Sequence, residues 1–78
     1  MPTVIRIGPY RFFFFSNERD EPPHIHVRSG DGEAKFWLVP LELSWSKGYN
    51  ERQLTRIEQH IRDKLAYFIQ TWDKYFGE

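Results

Sequence analysis

The stretch EPPHIHVR, residues 21–28, decides the fold that we predict for this chain. Two of the chain's three histidines, His24 and His26, are separated by one residue and follow a double proline. Because proline cannot donate to a β ladder, the prolines mark the point where a strand begins. Alternate residues of a strand project to the same face. We therefore predict that His24, His26 and Arg28 share one face of a strand.

The residues that follow predict a β-hairpin and its register. Gly30-Asp31 separates two strands predicted over residues 24–29 and 32–39, and a pair that begins with glycine suits a primed two-residue turn. With that turn, polar side chains face one another on one side and apolar side chains on the other. A slip of one residue would mix the two faces, which the hydrophobic pattern disfavours. The predicted polar pairs are Arg28 with Glu33, His26 with Lys35, and His24 with Trp37.

Two strands are predicted before this hairpin, over residues 3–7 and 10–16. The second contains four consecutive phenylalanines, which alternate between its two faces. A half-exposed strand would not carry phenylalanine on both faces. Either both faces are covered within the fold or one forms an interface, and we expect Phe12 and Phe14 to form a partner interface.

The part of the sequence that follows the hairpin predicts one more strand and a helix. After Pro40, apolar residues alternate with polar ones, which is typical of a strand with one buried face formed by Leu41, Leu43 and Trp45. Apolar residues then recur at helical spacing over residues 51–76, about 39 Å of helix, and Asn50 before them opens a capping box.

These elements predict a two-layer α+β fold. We expect a meandering antiparallel sheet of about five strands over residues 3–47, with one long C-terminal helix over residues 51–76 packed across it. The whole chain, residues 1–78, forms one domain.

Composition narrows the functional classes. The chain has no cysteine, which excludes disulfides, thiolate zinc sites and cysteine nucleophiles. Eleven basic residues balance eleven acidic ones, which argues against a general nucleic-acid coat protein. The N-terminus lacks the apolar run of a signal peptide or membrane span. We expect a cytoplasmic protein that does not contact a membrane.

Several segments of this chain resemble DUF4160, a family of small bacterial proteins of unknown function. The resemblance runs through Phe15-Ser16-Asn17-Glu18, then Glu21-Pro22-Pro23-His24-Ile25-His26-Val27, then Ala34-Lys35-Phe36-Trp37-Leu38, and ends around Trp72. Genes of the family often neighbour a second small open reading frame. The resemblance therefore implies a toxin–antitoxin-like pair without supplying an activity.

The polar face supports a metal-site interpretation. A His-x-His strand places two imidazoles where they can bind one ion, with Glu21, Glu33 or His60 as the third ligand. Arg28 and Lys35 would repel a cation, so we expect no cofactor.

The same polar face also supports an interpretation as a ribonuclease that acts without a metal ion. His24 and His26 would then act as general acid and base, because histidine titrates near neutral pH. Arg28 and Lys35 would contact the phosphate, with Glu33 beside them, and Trp37 would stack on an RNA base.

A third interpretation is a protein-binding module, and it is the one that we favour. A partner encoded by the neighbouring gene would bind the phenylalanine strand or a sheet edge, and the face of His24, His26 and Arg28 would be the functional surface. Whether the chain is an enzyme, and whether it forms homo-oligomers, stays open from sequence.

Overall fold

A computed structural model describes residues 3–77 as five strands followed by two helices. The strands form one antiparallel sheet in sequence order, and the helices pack on one of its faces. This confirms the predicted meander and the α+β class. The elements are β1 (Thr3–Ile7), β2 (Tyr10–Phe13), β3 (His24–Ser29), β4 (Gly32–Leu38), β5 (Leu41–Lys47), α1 (Glu51–Asp63) and α2 (Leu65–Phe76).

The central hairpin has the predicted register. Strands β3 and β4 pair without a shift from Ser29 opposite Gly32 to His24 opposite Trp37. Gly30 has a φ of 52°, and Asp31 does not adopt a positive φ. A positive φ at the first turn residue alone is the pattern of a type II′ turn, for which glycine is the preferred residue. The turn and the period-2 pattern therefore specify the same register.

The core lies between the helices and one face of the sheet. Phe12 and Phe14 have 0% and 1% of their surface exposed. Phe12 contacts the ring of Phe68 at a centroid distance of 5.4 Å, and Phe14 contacts that of Trp72 at 5.3 Å. The predicted partner interface at Phe12 and Phe14 is therefore wrong, because α2 covers both side chains.

The predicted single long helix is wrong, since it is divided at Lys64. The backbone there has φ −119° and ψ 21°, outside the helical region, and its N–H donates to the carbonyl of Ile61. Residues 51–76 contain no glycine or proline, and the apolar spacing continues through the break. The break lets α2 bring Phe68 and Trp72 onto the phenylalanines of the sheet, so packing outweighs the local helical preference.

Strand β5 also differs from the prediction. A β-bulge in this strand makes the residues after it project to the face opposite to the one that simple alternation predicts. Phe36 pairs with Leu43, but Lys35 pairs with Trp45, so Ser44 is the extra residue. The bulge places Trp45 on the sheet face of Lys35 and Leu43 on the face of the core. Both side chains are exposed, at 41% for Trp45 and 39% for Leu43. The predicted common buried face does not form.

Among residues 3–77, no helix is both long enough and apolar enough to cross a bilayer.

Candidate functional site

A half-buried carboxylate and two buried imidazoles meet on the sheet face that carries Lys35 and Trp37. Glu18 lies in the loop between β2 and β3, and His24 and His26 lie on β3. One oxygen of Glu18, Oε1, is 2.8 Å from Nε2 of His24, and the other, Oε2, is 3.0 Å from Nε2 of His26. We call these three residues the Glu-His-His cluster.

A local turn after β2 brings Glu18 to this position. Its backbone N–H donates to the carbonyl of Phe15 at 3.3 Å, and its Oε1 accepts from the N–H of Phe15 at 2.9 Å. Because these bonds turn the chain, β2 ends at Phe13 and does not continue to residue 16 as predicted. The loop of residues 14–23 then folds back over β3.

The His24 ring is oriented by a backbone carbonyl. Its Nδ1 is 3.0 Å from the carbonyl oxygen of Pro22, which can only accept, so Nδ1 carries a hydrogen. In the neutral ring, Nε2 then has a free lone pair. Although Nε2 is 2.8 Å from Glu18, it makes no hydrogen bond of acceptable geometry. In that tautomer the close contact places the lone pair of Nε2 against a carboxylate oxygen, and it is not an aligned hydrogen bond.

The His26 ring is held by the carboxylate on one side and phenylalanines on the other. Nε2 can donate to Glu18, with distances of 3.0 Å to Oε2 and 3.3 Å to Oε1. The ring of Phe13 stacks on it at 5.4 Å, and Phe15 meets it edge to face at 5.0 Å. Nδ1 of His26 is buried and has no hydrogen-bond partner among the described residues.

Burial and mutual contact alter the proton affinities of the cluster. Burial lowers the pKa of His26, and although the Glu18 carboxylate opposes this effect, the pKa remains below its ordinary value. Burial alone would raise the pKa of Glu18, but the Phe15 amide and the imidazoles of His26 and His24 outweigh it and lower that pKa. A charged Glu18 beside a neutral His26 is the state that these shifts favour.

The histidines are less accessible than the sequence suggested. His24 is 0% exposed and His26 is 5% exposed. Trp72 approaches the ring of His24 at 4.8 Å, and Trp37 meets it edge to face at 5.7 Å. The two imidazoles share a face, as predicted, but aromatic rings and the loop cover them.

The charged residues predicted on this face pair with one another around the cluster. Nζ of Lys35 lies 2.6 Å from Glu21 and 4.5 Å from the centre of the Trp37 ring. Arg28 lies 3.3 Å from Glu33 at the exposed end of the hairpin.

The structure also shows where the three residues predicted as a third metal ligand lie. Glu21 lies 3.7 Å from Nδ1 of His24, the nitrogen that is bonded to Pro22, and its nearer contact is Lys35. Glu33 pairs with Arg28. His60 lies on α1 beside Tyr10, at a ring distance of 5.8 Å. None of the three joins the two imidazoles, and Glu18 takes the place predicted for them.

Sequence reasoning gave Glu18 no role. No periodicity places a loop residue over a strand eight positions away, so spacing alone could not find it. The useful signal was its membership of the Phe15-Ser16-Asn17-Glu18 segment that carries the family resemblance. Chemically, the cluster offers one carboxylate and two imidazoles at a buried point, which can share protons or bind a cation.

Comparisons with known proteins identify a family but no characterised relative. A search of curated proteins and a search of solved structures each found no match. The family model described as "Domain of unknown function (DUF4160)" matches residues 10–73, a span that contains the whole Glu-His-His cluster and the core of the sheet. This chain therefore belongs to the DUF4160 family.

Proposed function

We propose that this protein is one component of a bacterial toxin–antitoxin-like pair and acts in the cytoplasm by binding the protein encoded by a neighbouring gene. The pairing rests on the family resemblance. The observation that supports binding is the edge strand β5, which exposes the large apolar side chains of Leu43 and Trp45.

Strand β5 has the features of a docking edge. It is the last strand of the sheet, so within residues 3–77 no strand pairs with the backbone groups on its outer side. Its residues Leu43 and Trp45 are large, apolar and about 40% exposed. Val39, in the turn before it, is 62% exposed. Aromatic anchors beside free backbone groups suit strand addition by a partner.

The bulge at Ser44 determines how a partner strand would be held. Because Leu43 and Trp45 project to opposite faces, an added strand would have an apolar contact on each side of the sheet. Without the bulge, Leu43 and Trp45 would share one face, and an added strand would have an apolar contact on that face only. The expected partner segment is extended, with small or apolar side chains on both faces.

The burial of the histidines weighs against the ribonuclease alternative. General acid–base catalysis requires both groups within hydrogen-bond reach of the substrate. His24 and His26 instead lie beneath Phe13, Phe15 and the loop, with Glu18 at their Nε2 atoms. A phosphate would reach them only if the loop moved away. We therefore assign the cluster a role within the protein rather than on RNA.

Co-purification with the neighbouring gene product tests this proposal. We expect a stoichiometric complex on size-exclusion chromatography, and at least a tenfold weaker Kd when Leu43 and Trp45 are both changed to lysine. Tyr67→Lys is the matched control, because Tyr67 is also an exposed large side chain but lies on α2. Circular dichroism confirms that each variant is folded.

Two outcomes would contradict the proposal. The first is a complex of unchanged affinity in the double lysine variant, which would exclude the β5 edge. The second is growth arrest with RNA cleavage when the chain is expressed alone, lost in His26→Ala, which would favour the ribonuclease. Self-association through β5, seen by sedimentation without the partner, would replace the partner by a second copy of this chain.

A further inference from the structure

We propose that Glu18, His24 and His26 form a binding site for one divalent transition-metal ion of the zinc class. The site is independent of partner binding at β5, because it lies under the loop of residues 14–23 and not at the sheet edge. Three observations support it: the ligand set, the spacing of the donor atoms, and a buried nitrogen of His24 that makes no aligned hydrogen bond within residues 3–77.

The ligand set is the one that such ions prefer. Two imidazole nitrogens and one carboxylate oxygen bind Zn²⁺ in His₂Glu sites and other divalent ions, such as Fe²⁺, in related sites. One donor atom from each of the three residues lies within 4.8 Å of the other two. Tetrahedral ligands about 2.1 Å from an ion are about 3.4 Å apart. The observed distances between donor atoms bracket that spacing. The shortest Glu18–histidine contact is 2.8 Å, and the three donor atoms all lie within 4.8 Å of one another.

The hydrogen bonding of His24 prepares it to bind an ion. Its Nδ1–H donates to the carbonyl of Pro22, the outer contact that typically fixes the tautomer of a metal-binding histidine. The lone pair of Nε2 then faces a carboxylate oxygen at 2.8 Å, and this nitrogen is buried without an aligned hydrogen bond. Two facing lone pairs repel each other, and a cation shared between them removes the repulsion.

The charges around the cluster are compatible with a cation. The two positive side chains that were predicted to repel a cation are each paired with a carboxylate: Lys35 with Glu21 at 2.6 Å and Arg28 with Glu33 at 3.3 Å. Glu21 also places its carboxylate 3.7 Å from Nδ1 of His24. The metal repulsion expected from the sequence is therefore offset by Glu33, the predicted partner of Arg28, and by Glu21, whose contact with Lys35 the linear pattern did not reveal.

Burial assigns the ion a structural role. Phe13 and Phe15 enclose His26, while Trp37 and Trp72 contact His24, so the aromatic shell limits access by a substrate. An ion bound here would tie the loop of residues 14–23 to β3. Binding would therefore stabilise the fold, since the unfolded chain does not hold the three ligands together.

Titration of the tag-free, chelator-treated chain with zinc tests the site. We expect one Zn²⁺ per chain by calorimetry, and a rise in Tm of about 5–10 °C at excess zinc. Glu18→Gln keeps the shape of the side chain and an oxygen that accepts from Phe15, but its neutral amide is a poor ligand. We expect this variant and His26→Gln to weaken binding at least 100-fold, whereas the control His60→Gln binds as the wild type does.

A measurement on the wild type keeps the proposal falsifiable if a ligand variant does not fold. In nitrogen NMR of the imidazoles, zinc must shift the signals of His24 and His26 and leave those of His60 in place. Failure to bind zinc, binding that persists in both ligand variants, or a shift confined to His60 would each overturn the site. None of these results bears on whether a partner binds at β5.

Discussion

Oε2 of Glu18 lies 3.0 Å from Nε2 of His26, and this contact joins a surface loop to the central hairpin. Glu18 is held in turn by the N–H of Phe15, so the carboxylate connects both ends of its own turn with β3. The connection runs through a covered, largely aromatic region, where an unpaired polar group is costly. The stability of the loop therefore depends on Glu18 more than on the exposed ion pairs.

Removal of the carboxylate should destabilise the metal-free protein. We expect Glu18→Ala to lower the free energy of unfolding by about 2–3 kcal/mol, because His26 loses its hydrogen-bond partner and the Phe15 amide loses its acceptor. Urea denaturation at pH 7 in the presence of a chelator measures the change.

A surface ion pair provides the comparison for that variant. Glu33 contacts Arg28, whose side chain is 45% exposed. We expect Glu33→Ala to cost no more than about 1 kcal/mol, as is usual for exposed pairs. Equal losses in the two variants would show that the Glu18 contacts contribute no more than a surface pair.

The metal-free protein should lose stability as the pH falls. Burial lowers the pKa of His26, the carboxylate of Glu18 opposes this effect, and the positive charge of Lys35 lowers the pKa further. The unfolded chain therefore binds this proton more readily than the folded one. The contribution of His26 is fully present above about pH 6.5, the ordinary pKa of histidine, and declines as the pH falls below that value.

A second loss should follow at lower pH, with the same sign. Since the pKa of Glu18 is also below its ordinary value, its contribution is present above about pH 4.3 and is lost as the pH falls through the folded-state pKa. Urea midpoints at pH 7.5, 6.0, 5.0, 4.0 and 3.0 would measure both steps. His26→Gln should reduce the first step, and an undiminished step in that variant would contradict the assignment.

The hairpin was predictable because two independent signals agree there. The Gly30-Asp31 turn and the alternation of polar and apolar side chains specify the same register, and a slip would reverse the buried face. Pairing of residues across β3 and β4 is therefore encoded within about fifteen consecutive positions. The shared face of His24 and His26 follows from the same period.

The parts that the sequence did not reveal depend on contacts between distant segments. The end of the first helix at Lys64 depends on where α2 meets the sheet, and the apolar period continues unchanged through it. The bulge at Ser44 inserts one residue into an otherwise regular alternation. Glu18 reaches the histidines by a turn whose hydrogen bonds leave no periodic pattern.

The phenylalanines expected at a partner interface should instead behave as core residues. We expect Phe12→Ala to cost about 3–5 kcal/mol, because the ring is fully buried against Phe68 and its loss leaves a cavity. That is a large share of the roughly 5–15 kcal/mol typical of a domain. Chemical denaturation measures the loss. A stability within about 1 kcal/mol of the wild type would show that Phe12 is not a core residue.

The capping box before α1 should contribute to the stability of the whole domain. The side chain of Asn50 accepts from the N–H of Gln53 at 2.8 Å, and the Gln53 side chain accepts from the N–H of Asn50 at 2.9 Å. We expect Asn50→Ala to cost about 1 kcal/mol, because it leaves a helix N–H without its acceptor, and to lower Tm by about 4–8 °C. Asn50→Asp keeps an acceptor at the same position and should retain most of that stability. Thermal denaturation of the two variants in parallel separates the loss of the cap hydrogen bond from the change of residue. An equal fall in Tm in both variants would show that the cap hydrogen bond does not stabilise the helix.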